Sequence, residues 1–147
     1  MKTHRFLVMM GCICTALAVA GCYQTPQSTA ASYEKGTIAA STQAAGTSIT
    51  VDSIGMPSTG WLVVHEMNGD APVVPASIGH VYVPAGPSST VQVPLSKAVG
   101  PGDRVMAMLH LDTGVAKVFE FGNDAVEQHD TPVLRDDKPV AVVIQLN

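Results

Sequence analysis

A chain of 147 residues, 46% hydrophobic and only 14% charged, is long enough for one domain with its own core and too apolar for a disordered polymer. So few charges fit poorly with long solvent-exposed helices, and 13 Gly with 10 Pro, most of them between apolar runs, favour strands joined by turns. The net charge of −4 opposes a phosphate backbone, and three Phe, three Tyr and one Trp make a thin stacking platform, so no nucleic-acid partner is expected.

Residues 1–21 read as an export signal. Lys2, His4 and Arg5 give a basic start, and the apolar run from Phe6 to Val19 is shorter than the ~20 residues that span a bilayer. Without this leader the chain keeps six basic groups against twelve acidic ones. The leader ends in Val19-Ala20-Gly21-Cys22, which resembles the lipobox of bacterial lipoproteins. That resemblance implies cleavage before Cys22, acylation of its thiol, and a membrane held as partner through the N-terminal lipid. Another envelope protein would be a further partner. Tyr23, not Asp, follows the cysteine, which in enteric-type sorting implies the outer membrane, facing the periplasm or the cell surface. An ordinary signal peptide with an incidental Cys is the alternative. Cys12 and Cys14 leave with the leader, so with Cys22 lipidated no thiol remains for a disulfide, a nucleophile or a blue-copper site.

Residues 22–46 are rich in Ser, Thr, Ala, Gln and Gly, show no apolar period, and read as a flexible tether. The domain is then expected over residues 47–147. Thr47 to Ile54 alternates, with Ile49, Val51 and Ser53 on one face. After a turn at Gly55–Gly60, Trp61 to Met67 is apolar on both faces, as in a central strand. Asn68-Gly69-Asp70 turns the chain, and Pro72 to Pro75 is loop. Ser77 to Val83 forms a third strand, broken by Pro84-Ala85-Gly86-Pro87. Ser89 to Leu95 alternates cleanly, with Pro94 marking an edge. Gly100-Pro101-Gly102 turns into the long apolar run Asp103–Asp112. Val118–Phe121 reads as a short aromatic strand, and Pro139–Leu146 closes the domain. Seven short antiparallel strands without a helical period predict an all-β sandwich, immunoglobulin-like in general shape, lacking the Cys…Trp…Cys pattern of antibody domains.

The residues with chemical potential sit on two of these strands. Trp61-Leu-Val-Val-His65-Glu66 and Met106-Ala-Met108-Leu-His110-Leu-Asp112 each close on a His and an acid, placing His65 and His110 at matching ends of neighbouring strands. Met106, Met108 and His110 are two apart and share one face. Thioether with imidazole is a soft donor set suited to Cu(I), so His65, His110, Met106 and Met108 are the candidate metal ligands. The alternative is that both Met side chains fill the core and both His hydrogen-bond loops. His80 would have to face the same spot to strengthen the metal reading. No G-x-S-x-G or H-E-x-x-H run is present, so no catalytic residue is assigned, no enzyme is expected and no organic cofactor is implied. Trp61, the single indole, either covers one end of the core or anchors a partner.

From Thr47 onward, the order of Trp61–Glu66, Ile78-Gly79-His80, Ala85-Gly86, Val91–Leu95, Met106–Asp112, Phe119-Glu120-Phe121 and Pro139-Val140 resembles an exported module, domain of unknown function 7282. The resemblance implies a β-sandwich and surface or periplasmic placement, and names no activity. Relatives often carry an acidic, calcium-loop-like turn after the L-H-x-D piece. Here that turn keeps only Asp112 and Glu120, with Lys117 between them, too few oxygens for calcium. A lipid-anchored, non-enzymatic binding or structural module of the envelope is the expected function, with a copper-type metal binder as the alternative.

Overall fold

A computed structural model of the chain describes residues 34–123 and 129–147; the leader, Cys22 and the tether up to residue 33 lie outside the described residues. Among the described residues there is no helix. The strands are β1 (Thr37–Ala39), β2 (Gly46–Met56), β3 (Gly60–Asn68), β4 (Ala71–Pro72), β5 (Gly79–Val83), β6 (Gly86–Val99), β7 (Arg104–Leu111), β8 (Thr131–Pro132), β9 (Leu134–Arg135), β10 (Lys138–Pro139) and β11 (Ala141–Gln145). They pair antiparallel in two main sheets. One has the order β1-β2-β6. The other runs β11-β7-β3, with β4 and β5 both on the far edge of β3 and β8 beside β7. A small β9–β10 hairpin stands apart.

The two sheets close on one apolar core, so the fold is the expected β-sandwich. Ile49, Val51 and Val93 come from one sheet, and Leu62, Val64, Leu109 and Ile144 from the other. β3 lies between β7 and β5, and its residues from Gly60 to His65 are buried on both faces, Leu62 and Val64 against the other sheet and Trp61 and His65 under Phe119 and Phe121. β6 pairs only with β2, so Pro94 does lie on an edge strand, where its missing N–H costs no ladder bond.

Three expectations change. Residues 36–46 are built into the domain. β1 pairs with β2, Ile38 packs on the core, and the Gln43 side chain exchanges two 2.8 Å hydrogen bonds with the main chain of Thr50. Gln43 and Ala45 also bond the chain end through Gln145 and Asn147. Polar composition concealed this segment because its partners are main-chain groups. Second, the alternation of β2 resets after Val51: Ser53 is exposed and Ile54 takes the core position. The ladder skips the Asp52–Thr90 pair at that point, where Thr90 has φ +54°. Third, Val118–Phe121 is not a strand. Both edges of β7 are taken, by β3 on one side and by β11 and β8 on the other. The aromatic segment lies across the face of the sheet instead.

Candidate functional site

The register of β3 on β7 decides where the singled-out residues stand. Trp61 pairs with His110, Val63 with Met108, and His65 with Met106. Paired residues share a face, and the alternate residues Leu62, Val64, Ala107 and Leu109 belong to the inter-sheet core. All four candidate metal ligands therefore lie on the outer face of the larger sheet. His65 and His110 are on neighbouring strands as expected. They are not at matching ends: antiparallel pairing sets His110 four residues along β7 from the partner of His65. Met108 falls between the two histidines in register. His80 and Tyr82 of β5, paired with Val63 and Trp61, add to the same face.

That outer face is covered by the chain that follows β7. Phe119 stacks on His80, with centroids 4.1 Å apart and planes at 22°, and meets Trp61 edge-on at 5.4 Å. Phe121 meets His110 edge-on at 4.3 Å and His65 at 6.0 Å. Trp61 is thus buried in an outer-face aromatic layer with His80, Tyr82 and Phe119, rather than covering an end of the inter-sheet core. Gly60 lets β7 come close, since a Cβ there would collide with the His110 carbonyl oxygen.

Carboxylates tie this cover down. Asp130, 1% exposed, accepts main-chain N–H bonds from Glu120 at 2.7 Å and from Thr113 at 3.3 Å. Glu120 accepts from Val115 N–H at 2.6 Å, and Asp112 from Lys117 N–H at 2.9 Å. Burial, joined by the nearby charges of Asp112 and Glu120, raises the Asp130 pKa against the lowering effect of its two N–H donors. These acids hold backbone, while the second oxygen of Asp112, Oδ1, is buried without a hydrogen-bond partner. Sequence reading missed Asp130 and the covering role of Phe119 and Phe121. The Phe-x-Phe spacing was the available signal, since period two puts both rings on one side.

Under the cover sit two fully buried histidines. His65 Nδ1 donates to the Ala76 carbonyl at 2.7 Å, which leaves Nε2 as a bare acceptor. His65 Nε2, both ring nitrogens of His110, and Trp61 Nε1 are buried without a hydrogen-bond partner. Burial drives the His110 pKa down to about 4, the neighbouring His65 adds to the fall, and the Asp130 main chain, short of a true hydrogen bond, offsets it only in part. Burial lowers His65 as well, and lowers His80 against the opposing charge of Asp130. Both buried imidazoles are accordingly neutral near pH 7. Their ring centres are 6.0 Å apart with planes at 37°. Among the described residues, no three His, Cys, Asp or Glu side chains gather as a metal site. Among the described residues, then, a third donor to the histidine pair would have to come from outside those four residue types.

Antiparallel sheets closing on one core, with a second layer of His, Met and aromatic side chains on the outside of one sheet, define an all-β sandwich module. The chain belongs to the family described as domain of unknown function (DUF7282), whose model matches residues 36–146. That match begins at Gly36, one residue before β1 and ten before Gly46. No curated protein and no solved structure matches the chain.

Proposed function

We propose that this protein is an exported, lipid-anchored module of the cell envelope that works by binding or by structural presence rather than by catalysis. The leader and the Val19-Ala20-Gly21-Cys22 sequence support the anchor. The observation that carries the non-enzymatic reading is the fate of the titratable side chains. Asp130, Glu120 and Asp112 each hold a backbone N–H, Asp112 Oδ1 is buried, and His65 and His110 lie under aromatic rings, so among the described residues no acid–base pair faces a cleft where a substrate could sit. The test is labelling of producing cells with a clickable palmitate analogue. Label on the wild-type protein, absent from Cys22→Ser together with release of that variant from the membrane fraction, is the expected outcome. An unlabelled wild type, or a Cys22→Ser variant that stays membrane-bound, contradicts the anchor.

A second reading is a metal-binding module using the His/Met face. One observation favours it: three buried imidazole nitrogens have no protein partner although each is a competent donor or ligand.

A further inference from the structure

We propose that the outer-face layer holds a single monovalent soft cation, Cu(I) or its analogue Ag(I), between His65 Nε2 and a ring nitrogen of His110, with the Met108 thioether as third donor. This rests on the metal-binding reading and assigns its ion and its ligands.

The spacing of the rings is the first argument. A direct imidazole–imidazole hydrogen bond, with N···N of ~2.9 Å and ~1.2 Å from each ring centre to its nitrogen, puts the centres ~5.3 Å apart. One ion bound by two nitrogens at ~2.0 Å puts the centres ~6.4 Å apart when in line and ~5.5 Å apart at the ~120° of an ideal trigonal site. The observed 6.0 Å, without a hydrogen bond between the rings, falls between these two ion-bridged values, as a bent N–ion–N arrangement open to a third donor requires.

Orientation is the second. Ligating histidines characteristically give their other ring N–H to a carbonyl or carboxylate, which fixes the tautomer. His65 does this through Nδ1 to Ala76, so its Nε2 lone pair is free for a metal. Met108 stands between the histidines in register and is 4% exposed, which makes it the thioether placed to complete a three-coordinate site. Met106 is opposite His65 at the far side of that position and only half-buried, and the His80 ring is engaged in the stack with Phe119.

The surroundings choose the charge and the softness. Phe121 contacts both imidazoles, and Val63 lies in the same layer with no exposure. A divalent ion in so apolar a place would need carboxylates or waters to offset its charge, and no third His, Cys, Asp or Glu of the described residues joins the pair. A single positive charge bound by two neutral imidazoles and a thioether meets the lower demand, and such donors select Cu(I).

The experiment uses the full chain in mild detergent with Cys12→Ser, Cys14→Ser and Cys22→Ser, so that no thiolate competes. Cu(I) is titrated anaerobically against a chromophoric Cu(I) chelator, and the loaded protein is examined by X-ray absorption. One Cu(I) per chain with two nitrogen and one sulfur scatterers is expected. Since losing a mere supporting group costs 10–100-fold in metal affinity, His65→Ala and His110→Ala should each weaken binding by more than about 100-fold. Met108→Leu, a near volume-conserving change that keeps the fold, should weaken it by about 10-fold or more, while Met106→Leu and His80→Ala leave it within about 3-fold. Absorption spectra of the unmutated site keep the test decisive if a histidine variant fails to fold. Cu(I) bound without sulfur scattering, or moved by Met106→Leu or His80→Ala instead of Met108→Leu, overturns this assignment and leaves the broader metal reading standing. No Cu(I) bound against the chelator overturns both.

Discussion

Asp130 shows what a single buried carboxylate does in this molecule. It reaches Glu120 and Thr113 across the segment that follows β7, so one side chain fastens the cover over His65, His110 and Trp61. Removing it leaves the buried Glu120 N–H and the part-buried Thr113 N–H unpaired, at ~1–3 kcal/mol for a buried donor and less for the other. Asp130→Ala should therefore destabilise the domain by about 2–4 kcal/mol in urea unfolding, and Asp130→Asn, which keeps one acceptor oxygen, by less. Trp61 is the only indole and lies against Phe119, so its emission should move to the red in the alanine variant before the core unfolds. Unshifted emission would mean that the cover stays down without Asp130.

At the scale of elements, β1 and the segment leading to β2 deserve the same accounting. Gln43 and Ala45 bond Thr50, Gln145 and Asn147, tying the start of the domain to its end. At ~0.5–1.5 kcal/mol net for each bond, plus the partial burial of Ile38, a domain begun at residue 47 should lose at least about 4 kcal/mol relative to one begun at residue 34. Small domains hold only ~5–15 kcal/mol in all, so the shorter form should unfold at a much lower denaturant midpoint. Equal midpoints would show that the ladder to β2 adds nothing. The first half of β2 and the middle of β6 were legible by a two-residue apolar beat, and β3 and β7 as continuous apolar runs buried on both faces, because burial on one or both sheet faces writes those patterns into the residues. β1 was not, since three residues cannot carry a period. Val118–Phe121 misled for the opposite reason: its spacing fits a strand, but every place beside β7 was occupied.

For the molecule as a whole, the buried histidines make stability depend on pH. In the metal-free protein His110 is neutral with a pKa of about 4, against 6.5 when unfolded. Between these values the unfolded chain binds the extra proton, so stability is unaffected above about pH 6.5, falls as the pH drops, and is lower by about 3 kcal/mol once below 4. His65 acts in the same direction. Asp130 acts oppositely: its raised pKa favours the folded state as the carboxyl protonates. Urea midpoints from pH 7.5 to 4.5 should fall steadily, and His110→Gln should flatten the slope. A midpoint independent of pH above 4.5 would mean that His110 titrates normally in the folded chain.

The amino-acid order by itself determined the class of fold, through apolar residues at every second position separated by Gly and Pro turns. It also determined that His110 shares a face with Met106 and Met108, because strand geometry is local. Only the tertiary structure decided which face that is, that antiparallel register sets His65 and His110 apart along the sheet with Met108 between them, and that Phe119, Phe121 and Asp130 return to bury them. Pairing register and the path of a loop are set by which edges and surfaces remain uncovered once the core has formed. That is a property of the whole assembly and is written in no single stretch of the chain.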